Sequence, residues 1–566
     1  MTRGVSTMDR KWWTLIAVCA GIFMLLLDIT VVNVALPAVQ LSLHSSFSDL
    51  QWVIDAYALT LAAFLLTAGV IGDMFGRRRV FAVGLGVFSV SSLLCGLSTS
   101  PLMLNLSRGA QGVGGAIMFA TSLALLAQTF SGKERGTAFG AYGAVVGGAV
   151  AIGPLVGGAI TSGIGWRWIF FLNLPIATAA IIITLVKVRD SRDPTPRRID
   201  WIGVVSFSAS LFMLVFALVQ GNAKGWGSSL IIGLLVGSGV LMAVFLIAEW
   251  RQQDPMLDLS LFRRPAMVGV SLAAFTLSAS IFAMTLYLIL YFQEVLGYSP
   301  FAAGVRLLPF TVLAFLVAPV AGKLSVRVHA RYLMGLGLFL LALGCNLATH
   351  VQPDSLWTVL LPGFVVAGIG VGIVNPVLAS ASVSVVPPER SGMASGSSNT
   401  FRQVGIATGI AGLGAVFLSQ IRPETVNALQ ATPTGRLILA EGGSRLTTAI
   451  SGSGVREAVA SIPSAAARDT LLNAYRVGFT TTFNHLMGIA TATALVGAIG
   501  ALALIRQRDF VPSYEPGSAA GAAVTPGGGG AGSPAPPTPV PPVPAPPSTP
   551  VPEAASPEHP SAAPTG

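Results

Sequence analysis

Long apolar runs alternate with short polar segments along the whole chain. Each run has about twenty residues or more, the length that crosses a hydrocarbon core about 30 Å thick. The fourteen runs cover 12–36, 50–72, 80–98, 102–128, 138–162, 168–187, 200–219, 229–249, 266–292, 301–322, 332–350, 356–384, 396–419 and 483–505. Every run predicts a transmembrane helix, so the sequence predicts an all-α membrane protein with fourteen spans.

Composition agrees with this pattern and excludes several other classes. The 566 residues are 53% hydrophobic and only 10% charged, against roughly 25% charged residues in soluble domains. The net charge of +10 comes from short basic clusters between apolar runs, which favours membrane orientation over nucleic-acid binding. The cysteines and histidines are scattered and the chain has no phosphate-binding loop motif, so we expect neither enzyme site, metal nor cofactor. If the chain drives transport, the energy should then come from an ion gradient and not from ATP bound by this chain.

The distribution of basic residues predicts the orientation. Most of the 33 Lys and Arg residues lie in the N-terminal segment, the even-numbered loops and the C-terminal segment. The positive-inside rule therefore places both termini in the cytoplasm. The first apolar run lacks a small-residue cleavage site after it, so it is expected to remain as an uncleaved span.

A weak internal repeat predicts the domain organisation. The segment "AGVIGDMFGRRRVFAVGLG" aligns with "AGKLSVRVHARYLMGLGLF", which indicates two related six-helix units with two inserted helices. The proposed divisions are a cytoplasmic N-terminus (1–11), an N-terminal bundle (12–190), two inserted helices (191–262), a C-terminal bundle (263–510) with an extracellular loop (420–482), and a tail (511–566). Seventeen of the 36 prolines lie in the last 55 residues, which predicts a disordered cytoplasmic tail whose partner, if any, is unknown.

One carboxylate lies inside the first span. The stretch "LLLDITVVNVALP" carries Asp28, and insertion of a charge at the centre of a helix costs about 2.5–3.5 kcal/mol. Counting 1.5 Å per residue puts Arg108 of the fourth span at a similar depth. Burial favours a neutral carboxyl group and a nearby guanidinium favours a charged one, so a movement that separates the two could exchange a proton. A permanent ion pair that fixes helix packing is the alternative.

Several motifs resemble those of a known family. They read "LDITVVNVALP", "GVIGDMFGRRR", "RGAQGVGGA", "GPLVGG", "WRWIFFLNLP" and "YFQEVLGYSP". Together with fourteen spans, they are similar to the drug:proton antiporter-2 group of the major facilitator superfamily, over roughly residues 10–510. The resemblance implies the major facilitator fold, with two six-helix bundles plus two inserted helices, and proton-driven export by alternating access.

The resemblance also implies a cytoplasmic gate after the second span. The matching residues are Gly69, Asp73, Gly76, Arg77 and Arg78, and the family's equivalent acid and bases hold the gate through charge–charge and charge–dipole contacts. Arginines alone could serve as a topology signal. The acid contributes nothing to topology, which favours the gate.

The fifth span carries the element that the resemblance associates with antiporters. Gly153, Gly157 and Gly158 permit close helix approach, and Pro154 removes a backbone hydrogen bond and permits a kink. The family relation implies a role at the interface between the two bundles. Ordinary small-residue packing is compatible with that role.

Other residues are candidates for contact with substrate or protons. Asp55 and Glu294 lie near the outer ends of their spans, where a carboxylate could attract a cation, bind a proton or simply be hydrated. Two further cations inside spans, Arg306 and Arg402, could serve packing or function. The remaining candidate pocket residues are Tyr57, Met118, Tyr287 and Tyr291.

These observations predict a multi-pass exporter of the plasma membrane. It would exchange inward-moving protons for a small lipophilic drug or antibiotic, with the lipid bilayer and the substrate as its partners and no nucleic acid. A dedicated exporter of a metabolite, lipid or self-made antibiotic is the first alternative. A passive channel or a membrane sensor is the second.

Overall fold

The computed structural model describes residues 9–45, 47–190, 200–252, 255–440 and 464–510. Within these ranges the ordered elements are α-helices with short 3₁₀ and π turns, and no strand is present. Twelve helical segments of the described chain are long and apolar enough to cross a membrane. The predicted tail and the middle of the predicted extracellular loop lie outside the described residues.

The first six predicted spans form the N-terminal bundle. Its helices are α1 (Arg10–Leu43), α2 (Phe47–Phe75), α3 (Arg77–Gly96), α4 (Pro101–Thr129), α5 (Gly132–Gly163), α6 (Trp168–Phe171) and α7 (Asn173–Lys187). Local chemistry sets their ends: Ser100 caps α4 by accepting a hydrogen bond from Met103 N. Gly76 separates α2 from α3 with a φ of 99°, a conformation that favours glycine.

Two linker helices follow, α8 (Trp201–Lys224) and α9 (Ser229–Arg251). Asp200 and Ser228 cap their N-termini through side-chain oxygens. The two helices pack against each other, and α8 also contacts α2. The apolar residues of α9 are mostly exposed, as expected of a helix that faces lipid.

The remaining helices form the C-terminal bundle. They are α10 (Pro265–Leu290), α11 (Pro300–Arg306), α12 (Leu308–Leu324), α13 (Ala330–Leu347), α14 (Leu361–Ser384), α15 (Ser391–Gln430) and α16 (Ala465–Leu504). A π-helical turn, Tyr291–Val295, follows α10. The tenth predicted span is broken at Leu307 into α11 and α12, and the sixth at Leu172 into α6 and α7.

Both ends of the predicted extracellular loop at 420–482 are helical. α15 continues to Gln430 and α16 begins at Ala465, so both helices extend well beyond the predicted spans. Leu429 and Leu471 of these extensions pack together with Ile438. The extensions carry polar residues on their exposed faces, so a search for continuous apolar runs does not detect them.

The two bundles meet along two groups of helices. α5 packs on α12 and α14, and α2 and α4 pack on α15. Here we call the end of the molecule that contains the α2–α3 turn the inner face, because the charge pattern predicts it to be cytoplasmic, and the opposite end the outer face. This arrangement brings the predicted gate residues of α2 to the C-terminal bundle.

Candidate functional site

A buried ion pair lies inside the N-terminal bundle. Arg108 Nη1 of α4 donates to Asp28 Oδ2 of α1 at 2.6 Å. The two residues are only 2% and 3% exposed. The structure therefore brings together the two charges that the depth argument placed at one level.

The same carboxylate accepts hydrogen bonds from two neutral amides. Gln111 Nε2 donates to Asp28 Oδ1 at 3.1 Å, and Asn173 Nδ2 donates to the same oxygen at 3.0 Å. Asn173 also donates to Ser92 Oγ at 2.9 Å, and Ser92 donates to the carbonyl oxygen of Phe170. The donors to the carboxylate come from α4 and α7, so three helices, counting α1, meet at Asp28, and Ser92 of α3 holds Asn173 from behind.

The guanidinium of Arg108 has contacts beyond the carboxylate. Its Nε donates to Val53 O at 3.0 Å, and its Nη1 donates to Gln111 Oε1 at 2.7 Å. The guanidinium carbon lies 4.3 Å from the centre of the Tyr57 ring, within range of a cation–π interaction. Tyr57, predicted as a pocket residue, is thus a neighbour of the ion pair. Val53 and Tyr57 both belong to α2.

Sequence reasoning missed the two amides. Gln111 follows Arg108 by one helical turn in "RGAQGVGGA", and Asn173 lies in "FLNLP". Both are polar residues inside apolar runs. Only charged residues in such runs were considered as candidates. Extending that search to amides would have found them.

Two charged residues of the predicted gate form contacts between the two bundles at the inner face. Arg77 donates to Asp73 Oδ1 through Nη2 at 2.6 Å and through Nε at 2.9 Å. The same carboxylate accepts hydrogen bonds from the backbone of Gly392 and Met393, both at 2.9 Å. Asp73 thus binds the N-terminus of α15, where free N–H groups and the helix dipole favour an anion.

Arg77 completes this connection from the other side. Its Nη2 donates to Pro388 O at 2.5 Å and to Glu389 O at 3.0 Å. A side chain on Gly69 would collide with the backbone of Gly392, so the absence of a Cβ lets α2 and α15 touch. Three of the five predicted gate residues therefore lie at the contact between bundles.

The other two predicted gate residues contact the N-terminal bundle only, as far as the described chain shows. Arg78 Nη1 donates to Val188 O at 3.3 Å. Gly76 lies against the carboxylate of Asp190, which pairs with Arg79 at 3.0 Å. Gly76 and Arg78 therefore anchor the segment after α7.

A further ion pair joins the end of the linker region to the gate. Arg390 Nη1 donates to Asp258 Oδ2 at 2.7 Å. Burial raises the pKa of Asp258, but hydrogen bonds from Ser260 and from Arg390 outweigh it and hold that pKa below its ordinary value. The carboxylate consequently stays charged at neutral pH.

Two glycines of the predicted antiporter element pack against α1. A side chain on Gly153 would collide with Thr30 of α1, and one on Gly157 would lie 3.1 Å from Val31. Gly158 has open space around it, and the side chain of Pro154 lies outside the described part. The placement at the interface between bundles is therefore corrected for Gly153 and Gly157, which pack within the N-terminal bundle, close to Asp28.

Other glycines of α5 form the contact between bundles. Gly136 lies against Gly322 of α12 and Gly143 lies against Pro376 of α14. Gly140, between them, contacts Pro319. Their spacing of three or four residues puts them on one helical face, and the face carrying the predicted motif points to α1 instead.

The remaining candidates are not brought to the ion pair. Asp55 accepts a hydrogen bond from Gln220 of α8 at 2.9 Å, and Glu294 lies in the π-helical turn after α10. Met118 is fully buried in the core of the N-terminal bundle. Tyr287 stacks near Phe417, and Tyr291 is buried among aromatic rings of the C-terminal bundle.

Comparison with known proteins identifies the family. The Major Facilitator Superfamily model matches residues 18–410. The chain is 35% identical to the multidrug resistance protein Stp of Mycobacterium tuberculosis (strain CDC 1551 / Oshkosh), over 76% of this chain and 80% of that protein. It is 36% identical to the tetracenomycin C resistance and export protein of Streptomyces glaucescens, over 73% and 77% of the two chains.

Among solved structures, the proton:xylose symporter XylE has the same fold. The TM-score is 0.57 at 12% identity, covering 88% of this chain and 96% of the other. At this identity the likeness concerns the fold alone. The family match and the relatives, which are named for multidrug resistance and for antibiotic resistance and export, show that this multi-pass membrane protein belongs to the Major Facilitator Superfamily.

Proposed function

We propose that the protein exports small lipophilic drugs or antibiotics across the plasma membrane in exchange for protons, by alternating access. The observation that carries this proposal is the Asp28–Arg108 ion pair, whose two side chains are almost fully buried inside a transporter. An intramembrane ion pair of this kind is a candidate proton site. The membrane potential supplies about 2.3 kcal/mol per charge per 100 mV, and a tenfold gradient requires about 1.4 kcal/mol.

Protonation of Asp28 is the proposed driving step. The charged carboxylate holds Arg108 and accepts bonds from Gln111 and Asn173. A proton on Asp28 removes the counter-charge of Arg108, so the guanidinium loses its strongest attraction. Helices α1, α4 and α7 meet at this carboxylate, and we expect them to shift when it becomes neutral.

Helix α2 connects this step to the gate. Near its outer end, Val53 and Tyr57 contact Arg108. At its inner end, Asp73 binds the N-terminus of α15. A movement of α2 that follows release of Arg108 would therefore pull directly on the contact that closes the inner face.

Export of one self-made compound is the second candidate function. The relative from Streptomyces glaucescens is named for resistance to and export of tetracenomycin C, a single antibiotic. A screen of unrelated drugs in cells that lack their own pumps distinguishes the two. Broad resistance supports drug export in general, and resistance to one chemical family supports the dedicated exporter.

Uphill efflux of a fluorescent drug in inverted membrane vesicles tests the proposal. We expect accumulation with the wild-type chain that an uncoupler abolishes, and at least a tenfold loss with Asp28→Asn. Asp28→Glu should retain part of the activity because it keeps an acid. Asp55→Asn is the comparison variant: that buried carboxylate is bonded to Gln220 and not to Arg108, so a loss equal to that of Asp28→Asn would place the proton site at Asp55 instead. Accumulation that is indifferent to the uncoupler contradicts proton coupling, and transport that only equalises concentrations indicates a channel.

A further inference from the structure

One cation between the two bundles lacks an acidic partner. Arg402 of α15 is partly exposed, and its Nη2 donates to Asn375 Oδ1 of α14 at 3.3 Å. In the part of the chain that the structure describes, Arg402 forms no ion pair. Arg77, Arg108 and Arg390 each hold a carboxylate. Arg402 thus has N–H groups that donate to no other residue in the described part of the chain.

The surroundings of Arg402 lie near the middle of the membrane. Arg402 lies about 16 Å along α15 from its first residue, at 1.5 Å per residue. The same count puts Tyr142 about 15 Å from the start of α5 and Asn375 about 14 Å from the end of α14. In a core about 30 Å thick all three are close to the midplane, where transporters of repeated bundles bind their substrates.

The neighbouring polar groups also have capacity to donate. Tyr142, on the N-terminal bundle, is 2% exposed; its hydroxyl faces that of Ser122, and no hydrogen bond of good geometry joins the two. It is close enough to Arg402 for an electrostatic interaction. Asn399 lies one turn before Arg402, is 1% exposed, and has an amide nitrogen without a partner. A guanidinium, a hydroxyl and an amide nitrogen together suit a ligand that accepts hydrogen bonds.

We infer that the exported substrates carry an anionic group, a carboxylate or an ionised phenol, and that Arg402 binds it. This inference rests on the proposed export function. A guanidinium binds a carboxylate by two parallel hydrogen bonds, and the partly exposed Arg402 has no counter-ion in the described residues, so an anionic substrate could reach it and supply one. Outward movement of an anion and inward movement of a proton both carry positive charge inward, so the membrane potential drives both.

Matched pairs of dyes test the inference. Rhodamine 110 and rhodamine 19 each carry a carboxylate and no phenol, and their alkyl esters carry no anionic group. We expect wild-type inverted vesicles to accumulate the acids with a KM at least tenfold below that of the esters. Arg402→Gln should raise the KM of the acids at least tenfold and leave that of the esters unchanged. Arg402→Lys, which keeps the charge, should give an intermediate KM.

Arg306→Gln is the control, because Arg306 packs over the Tyr298 ring at 3.5 Å in the outer part of the C-terminal bundle. It should leave the preference for acids unchanged. Accumulation of esters in preference to acids overturns the inference and leaves the export function standing. An equal loss of acids and esters in Arg402→Gln also overturns it, because it shows a structural role. If no probe moves uphill, the proposed function itself fails.

Discussion

At the scale of single residues, the molecule is organised around buried charges whose partners differ. Asp28 and Asp73 are both almost fully buried and both bind an arginine. Asp28 finds its other partners in side-chain amides of its own bundle, whereas Asp73 finds them in the backbone of the opposite bundle. The first arrangement suits a proton site and the second a gate.

The strength of the Asp28–Arg108 pair can be measured by a double-mutant cycle. Removing one partner of a buried pair leaves an uncompensated charge and costs about 3–5 kcal/mol. We therefore expect Asp28→Asn to lower the free energy of unfolding by that amount. Asp28→Asn combined with Arg108→Gln should recover most of the loss, because no charge is then left unpaired.

Thermal unfolding of the purified protein in detergent provides the measurement, with Asp55→Asn as the reference substitution. Additive losses in the double variant would show that the two residues do not interact energetically, in conflict with the geometry.

The sequence predicted this pair because both residues are charged and their depths can be counted along regular helices. It did not predict Gln111 or Asn173, since an amide inside a span costs less than a charge and gives a weaker signal. It also could not predict that Asp73 binds backbone N–H groups of Gly392 and Met393. Backbone donors have no signature in the sequence.

At the scale of helices, glycines determine how closely the two bundles approach. The α5 glycines at 136, 140 and 143 lie directly against α12 and α14. Contacts of this kind hold helices together through van der Waals packing, which requires small residues at the interface. We therefore expect α5 to pack closely against α12 and α14 only while this face of α5 carries no larger side chains.

Gly136→Val tests this conclusion. A Cβ at Gly136 would meet the backbone of Gly322 and lie 2.6 Å from Val326, so we expect α5 and α12 to separate at the inner face. Spin labels on Phe75→Cys and Leu324→Cys, both at exposed positions, would report a longer distance. Gly158→Val is the control on the same helix, because Gly158 has no atom near its Cβ position. An unchanged distance in Gly136→Val would contradict the packing argument.

Each of the fourteen predicted spans corresponds to helical structure, because long apolar runs have few alternatives in a bilayer. The breaks at Leu172 and Leu307 were not predicted, since the apolar run continues through both. The glycine motif of α5 was recognised in the sequence, but its packing against α1 was not predicted. Glycines on that helix cover more than one face, and periodicity does not say which helix each face meets.

At the scale of the whole molecule, the Asp28–Arg108 ion pair and the Asp73 contact with α15 lie at different depths along the N-terminal bundle. The ion pair is buried between α1 and α4, and the proposed gate lies at the inner face, where α2 contacts α15. α2 contacts both. The account therefore predicts that the protonation state of Asp28 and the openness of the inner face change together, and that substrate and proton compete for the same protein.

Proton release on substrate binding measures that competition directly. Purified protein in weakly buffered detergent solution, with a pH indicator, is mixed with a drug that the protein exports. The account predicts that the wild-type protein releases protons at saturation and that Asp28→Asn releases none, while Asp55→Asn releases as many as the wild type. Equal release from Asp28→Asn and the wild type would contradict the central claim that Asp28 carries the exchanged proton.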